Sequence, residues 1–469
     1  VDGAIEAYRK VRRKDSAELY AYAQFNLGMA LGWEKKVVGA IKAFRNVQEG
    51  KDLVERYTLY RVSSVRKQAL EAFKNSKLVL YYLAESNILI LDSKLSKKAK
   101  NILSKIHNRV WELLQTLQVI KNKSESRVAH YTRPNTAWSM LHGLDDKGSS
   151  HFRLGTIKNV NDPMEGVAFY QYLQNADCID AEVYRQLDTF QESVFISCFT
   201  FNHDSLNQFR LYGKEQGQEA SGVSLAFTQD FFNQGSADNL AEFIANPAAG
   251  LSGDLMNQVD SIDGIQGDQQ IQEQDKSEDN KVSYIPKQAL YRCIYLDPES
   301  GYLALARRDK VTFYREKYAD KVENLVEEAE QEWQAYHENI ETLENSVNES
   351  LHRIREQVKK LFVLENDKKN QEKIAEILAF IFQPIQYLIK HSAYQEEQEC
   401  RIMYITNLSD QKIHTDWQSG QMYVEYEPEV KDFVDKIYLS PGARSREEFF
   451  RKELGDKKVR ISSNPFRHK

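Results

Sequence analysis

The sequence predicts an α+β protein: an N-terminal all-α helical-repeat region, then a mixed β-sheet domain with a long inserted helical hairpin. Three observations predict it. Residues 1–122 keep amphipathic, helical spacing almost throughout. Beyond residue 126, apolar runs of strand length such as Val194–Phe201 alternate with Gly, Pro and Asn turns. From 309 to 390 the chain returns to charged helical spacing, with Trp333, Tyr336, Ile340, Leu351, Ile354, Val358 and Leu361 among its apolar positions. A chain of 469 residues has length for two or three domains. The expected divisions are 1–122, 127–469 and, within the second, an insertion at 309–390. The polar stretch Lys121–Ser126 is the expected linker.

Composition narrows the class. Lys and Arg number 63 against 69 Asp and Glu, a formal net charge of -6, so no global basic excess points to nucleic acid. The four cysteines, Cys178, Cys198, Cys293 and Cys400, form no CxxC pair and no zinc spacing, as in a reducing, cytoplasmic protein. No apolar run is long enough for a membrane span and no signal peptide opens the chain. Val1 falls inside a helical pattern, so the chain reads as a fragment with more upstream.

In order along the chain, Asp2–Tyr8 is echoed by Gly39–Phe44, with Tyr22–Leu31 between them. The Leu27-Gly28 pair, Ala40 twelve residues after the Gly and the aromatic Phe44 four beyond resemble the tetratricopeptide repeat. That resemblance implies a surface for a protein or peptide partner; a helical cap docked on the next domain is the other reading. Amphipathic helices follow at about 54–73, 79–91 and 96–120. Arg127–Thr132 reads as a strand, and a short helix over Thr136–His142 stops at Gly143. Phe152–Gly155 is a short strand. Asn161-Asp162-Pro163-Met164-Glu165 is a turn opening a helix. Val194–Phe201 and Gly222–Phe227 are strands flanking a helix from Ser205 to Tyr212, with Asn202-His203-Asp204 as its cap. Residues 233–281 are polar and read as a long loop. A helix over Ile374–Ile389 is expected to be kinked or divided by Pro384. Strands are expected at Arg401–Ile405, Met422–Tyr426 and Val434–Leu439, then a final helix from Ser445.

Polar residues interrupt three otherwise apolar strands: His130 with Thr132, Ser197 with Thr200, and Glu397 with Glu399. In a strand Glu397 and Glu399 would share a face, with Arg401 next in the row. Two carboxylates at the mouth of a buried strand are costly unless paired or used. One reading is therefore a strand end whose glutamates pair with Arg401 and Lys390. The other is a functional site.

Residues 127–460 resemble a bacterial domain family of unknown function, DUF2971. The matching pieces are His130-Tyr131-Thr132, Asn161–Glu165, Ser197-Cys198-Phe199-Thr200, Phe209–Gly213 before Gly222-Val223, the Glu396–Arg401 cluster and Ile437–Gly442. The order His-x-Thr, Ser-x-x-Thr, Glu-x-Glu is similar to ADP-ribosyltransferases of the His-Ser/Thr-Glu type. That second resemblance implies NAD as substrate and an oxocarbenium-like transition state stabilised by a carboxylate. Under it Glu399 is the catalytic carboxylate, Glu397 its helper and Ser197 a positioning residue. His130, Thr132, Arg153 and Asp162 would then hold the nucleotide, Arg153 on the pyrophosphate. No metal is expected. The protein so described is a bacterial effector or phage-defence protein that transfers ADP-ribose or hydrolyses NAD. Two alternatives stand beside it: a non-catalytic scaffold or sensor, and a nucleic-acid enzyme holding Mg²⁺ with Asp162, Glu165 and the glutamates.

Overall fold

The computed structural model describes residues 89–90, 93–120, 124–143, 150–157, 162–175, 179, 183, 193–214, 219–233, 284–319, 326–406, 408 and 410–465. Helix α1 (Lys97–Leu117) leads into β1 (Arg127–Thr132), α2 (Pro134–His142), β2 (His151–Thr156) and α3 (Ala168–Asn175). Then come β3 (Ser193–Thr200), α4 (Leu206–Tyr212), β4 (Val223–Thr228) and the short strands β5 (Tyr291–Arg292), β6 (Ile294–Leu296) and β7 (Leu303–Leu305). Helices α5 (Lys310–Ala319), α6 (Val326–Leu364) and α7 (Lys368–Gln386) form the insertion. The chain closes with β8 (Ile389–His391), β9 (Glu399–Thr406), β10 (Ile413–Asp416), β11 (Gln421–Glu429), α8 (Val430–Phe433), β12 (Val434–Leu439), α9 (Glu447–Leu454) and β13 (Val459–Ile461).

Ten strands make one sheet in the order β10-β11-β2-β3-β1-β4-β12-β13, with β9 branching off to pair β3 and β5. Strands β7-β6-β8 make a second, smaller sheet. The register Ala129↔Thr200 between β1 and β3 assigns the two faces of the large sheet. One face carries His130 and Phe199, packed with Phe152, Phe227 and Phe231 in an aromatic core. The other carries Ala129 and Tyr131, covered by Phe209 of α4 and by Ala220. The Tyr131 hydroxyl donates to Asn202 O (2.7 Å) and accepts from Ser205 N (2.8 Å), which fixes where α4 begins. Ser205, not the 202–204 triplet, caps that helix by accepting from Gln208 N.

The expected α+β division is corrected: the described chain is a mixed α/β fold, and no all-α repeat region is found among the described residues. Helix α1 was expected to close that region. Instead its buried stripe of Leu103, Ile106, Val110, Leu114 and Leu117 packs against α6 and α7 of the insertion. It lies in the compact unit formed by Lys94–Gln234, Ser283–Tyr404 and Leu408–Lys469. The repeat-like segment 2–44, the helix expected at 54–73 and nearly all of 79–91 fall outside the described residues, as does the polar loop after Asn233. Within the insertion, the main partner of the 39-residue helix α6 is α1. Pro384 sits inside the last turn of α7, which runs on to Gln386, so it does not divide the helix.

The polar stretch expected as a linker holds a buried charge. Glu125 is 3% exposed and takes both its oxygens to Arg292 (2.9 and 2.8 Å), with the Tyr336 hydroxyl at 2.7 Å. Nearby, Glu316 of α5 meets His203 Nδ1 (2.5 Å) and Arg308. These contacts tie α6 to the chain just before β1 and α5 to the residues just after β3. No helix among the described residues is long and apolar enough to cross a membrane.

A candidate functional site built on buried carboxylates

The glutamate segment is not one straight strand. Residues Ser392–Glu397 form a 3₁₀ turn, Gln398 takes the left-handed conformation (φ 48°), and only then does β9 begin at Glu399. A non-glycine residue there carries backbone strain. Gln398 is held by its side chain, which accepts from Arg307 N (2.6 Å) and donates to Gln395 O (2.6 Å). The kink lets Glu397 and Glu399 converge on one cation. Lys390 Nζ of β8 lies 2.6 Å from Glu397 Oε2 and 2.6 Å from Glu399 Oε2.

Arg401, two residues along β9, closes the other side. Its Nε donates to Glu399 Oε1, and its two terminal nitrogens hold Glu165 as a fork, the longer contact at 2.8 Å. Its Nη1 also donates to Tyr387 O (2.6 Å). The Tyr212 hydroxyl donates to Glu397 Oε1 (2.9 Å), and Gln208 Nε2 to Glu397 O (3.0 Å). The Cys198 thiol of β3 lies beside the Glu399 carboxylate and helps to lower its pKa. Three carboxylates and two cations thus share one buried cluster, a satisfied network of charge-assisted bonds.

The electrostatics follow from that packing. Burial alone would raise the Glu399 pKa, but Arg401 and then Lys390 hold it far below the usual carboxylate range. Burial would lower Lys390, and Glu399 and Glu397 outweigh it, so the ammonium persists well above its ordinary range. Burial pushes Glu165 up by more than Arg401 beside it pulls down. Tyr212 is raised by burial and by the anions Glu397 and Glu399. At neutral pH Glu399 is an ion with both oxygens occupied.

The seven residues singled out in the sequence do not form one site. Glu399 and Glu397 meet at Lys390. His130 lies elsewhere: its Nδ1 faces Cys198 O (2.9 Å), and its ring packs on Phe152 and Phe199. Cys198 and Phe199 point to opposite faces, so strand β3 separates the Glu399 carboxylate from the His130 imidazole. By the same alternation Ser197 and Thr132 fall on the His130 face. Burial lowers the pKa of His130, as for a neutral core imidazole. Arg153 is surface-exposed, paired with Glu425 (3.2 Å) and lying 4.2 Å over the Tyr423 ring. Asp162 is buried; its Oδ1 accepts from Met164 N (2.8 Å) as a turn cap, and its Oδ2 has no hydrogen-bond partner among the described residues.

Pattern reading passed over Tyr131, the middle residue of His-x-Thr, which faces α4 and the cluster's side of the sheet. The signal was available: if His130 points one way in a strand, Tyr131 points the other. Among the described residues no group of three or more His, Cys, Asp and Glu is placed to hold a metal ion. No family model, curated protein or solved structure matches this chain.

Proposed function

We propose that the α/β domain is a non-catalytic binding module, part of a scaffold or sensor whose partner is a protein or peptide. The observation that carries this is the state of Glu399. Its two oxygens are taken by Arg401 and Lys390, it is 4% exposed, and a strand separates it from His130. A carboxylate stabilising an oxocarbenium ion must face the sugar, with the nucleotide ligands on the same side. Resemblance to the DUF2971 family is retained as a proposal. In its support, Glu165, Cys198, Tyr212, Glu397, Glu399 and Arg401 come from four of its scattered motifs and meet in one cluster.

The test is incubation of the full chain with NAD labelled in the nicotinamide and in the adenylate, with and without candidate protein acceptors. The expected result is no release of nicotinamide and no labelled product. Cleavage of NAD that disappears in Glu399→Gln would overturn the reading and restore the transferase.

A further inference from the structure

Beside the buried cluster is a hollow of about 340 Å³, floored by Glu397 and walled by α4 and its continuation. Asn207 and Arg210 with Leu211 follow at helical spacing on α4, which sets them along one side of that wall, and Lys214 lies just beyond the Gly213 cap. At the Asn207 end, Glu396 accepts from Asn207 Nδ2 (3.0 Å) and has no ion-pair partner among the described residues. At the other end, Arg210 (3.1 Å) and Lys214 (3.8 Å) lean on the single carboxylate of Glu219. Among the described residues, one carboxylate balances one of those two cations. Glu397 on the floor shares the Lys390 ammonium with Glu399 and accepts from the Tyr212 hydroxyl. The hollow therefore shows a spare negative charge at one end and a spare positive charge at the other. At a rise of 1.5 Å per residue, the step along α4 from Asn207 to Arg210 spans about 5 Å.

We propose that this hollow binds a small zwitterion of dipeptide size, its ammonium at Glu396 and its carboxylate at Arg210 and Lys214. Leu211, 56% exposed on the same wall, offers apolar surface to a side chain. The volume lies near the lower end of small-ligand sites, roughly 300–1,000 Å³, which suits a dipeptide and is tight for a dinucleotide. The assignment rests on the binding-module reading and names its ligand class.

The experiment is isothermal titration calorimetry of the full chain with Ala-Leu, N-acetyl-Ala-Leu and Ala-Leu amide. The zwitterion is expected to bind, with each blocked form weaker by about tenfold, near 1.4 kcal/mol. In Glu396→Gln the penalty for acetylation should vanish while that for amidation persists. An Arg210→Gln, Lys214→Gln double variant should show the reverse. These side chains lie at the surface of the hollow, and circular dichroism checks that each variant is folded. No heat with Ala-Leu at about 10 mM, equal binding of all three ligands, or penalties unmoved by the substitutions would each overturn the proposal. The NAD assay separates the two levels. Failure of dipeptide binding without NAD turnover removes only the ligand assignment, whereas NAD turnover removes the binding-module reading itself.

Discussion

Lys390 and Glu399 are joined by a 2.6 Å ion pair in which the two side chains are only 1% and 5% exposed. Such a pair is a weak source of net stability, but losing one partner strands the other in a low-dielectric interior. Lys390→Met keeps the stem and removes the ammonium that Glu397 and Glu399 share. It should cost about 3–5 kcal/mol. Urea unfolding of the full chain reads this as a large fall in midpoint. An unchanged midpoint would mean that water or a rearranged Arg401 already compensates the carboxylates.

Acid should act through the same carboxylates and through Glu316. Burial alone would raise Glu316, but His203 and Arg308 bring it down to about 2. A carboxyl whose folded pKa lies below its unfolded value stabilises the fold above the unfolded value, and that contribution is lost as pH falls through the folded one. Glu316 and Glu399 have this sign, so stability should drop as pH falls below the ordinary 4.5. Glu165 has the opposite sign: its raised pKa favours the fold at low pH, and this is lost as pH rises past 4.5, so it offsets part of the acid loss. Glu316→Gln should flatten the curve between pH 4.5 and about 2 by at most about 3 kcal/mol. The check is the wild-type and variant difference in unfolding free energy at several pH values. A constant difference across that window would show that Glu316 does not titrate with folding.

Much of the strand domain was legible because its strands are short apolar runs bounded by turn residues. Arg127–Thr132 and Val434–Leu439 match their expected spans to the residue. The pairing of Glu397 and Glu399 with Lys390 and Arg401 was also readable, since a buried carboxylate needs a cation within reach. Two things were not. The role of α1 depends on α6, more than 200 residues away, and amphipathic spacing does not say which partner an apolar stripe will meet. Nor does a polar residue in an apolar strand reveal its face until the register is known, and His130 falls on the aromatic side.

Gly213 and Gly222 hold α4 against β4. A Cβ on Gly222 would lie 2.5 Å from Gly213 Cα and 3.1 Å from Thr132 O, so both neighbours are backbone and neither can swing aside. Gly222→Ala should destabilise the fold by about 1–3 kcal/mol. It should also loosen the hydrogen bond from Tyr212 to Glu397, because α4 ends at Gly213. Thermal melts give the first effect, and tyrosine fluorescence against pH gives the second. A variant as stable as the parent would mean that the two glycines are further apart in solution than this packing requires.

The cysteines report on whether the seam beside the cluster stays shut. Cys293 and Cys400 are fully buried, and burial pushes both thiols above their ordinary pKa, as it does for Cys198 beside the Glu399 anion. The reactive form of a thiol is the thiolate, so all three should be silent towards a disulfide reagent such as Ellman's at pH 8. In a Cys178→Ser background the folded chain should show no prompt reaction, and three thiols should appear in guanidinium. Lys390→Met should bring some of that reactivity forward, because the ammonium no longer holds β8 to the start of β9. Prompt modification of Cys198 in the unaltered cluster would instead mean that the seam opens in the native state, and with it the claim that Glu399 is sealed from substrate would fall.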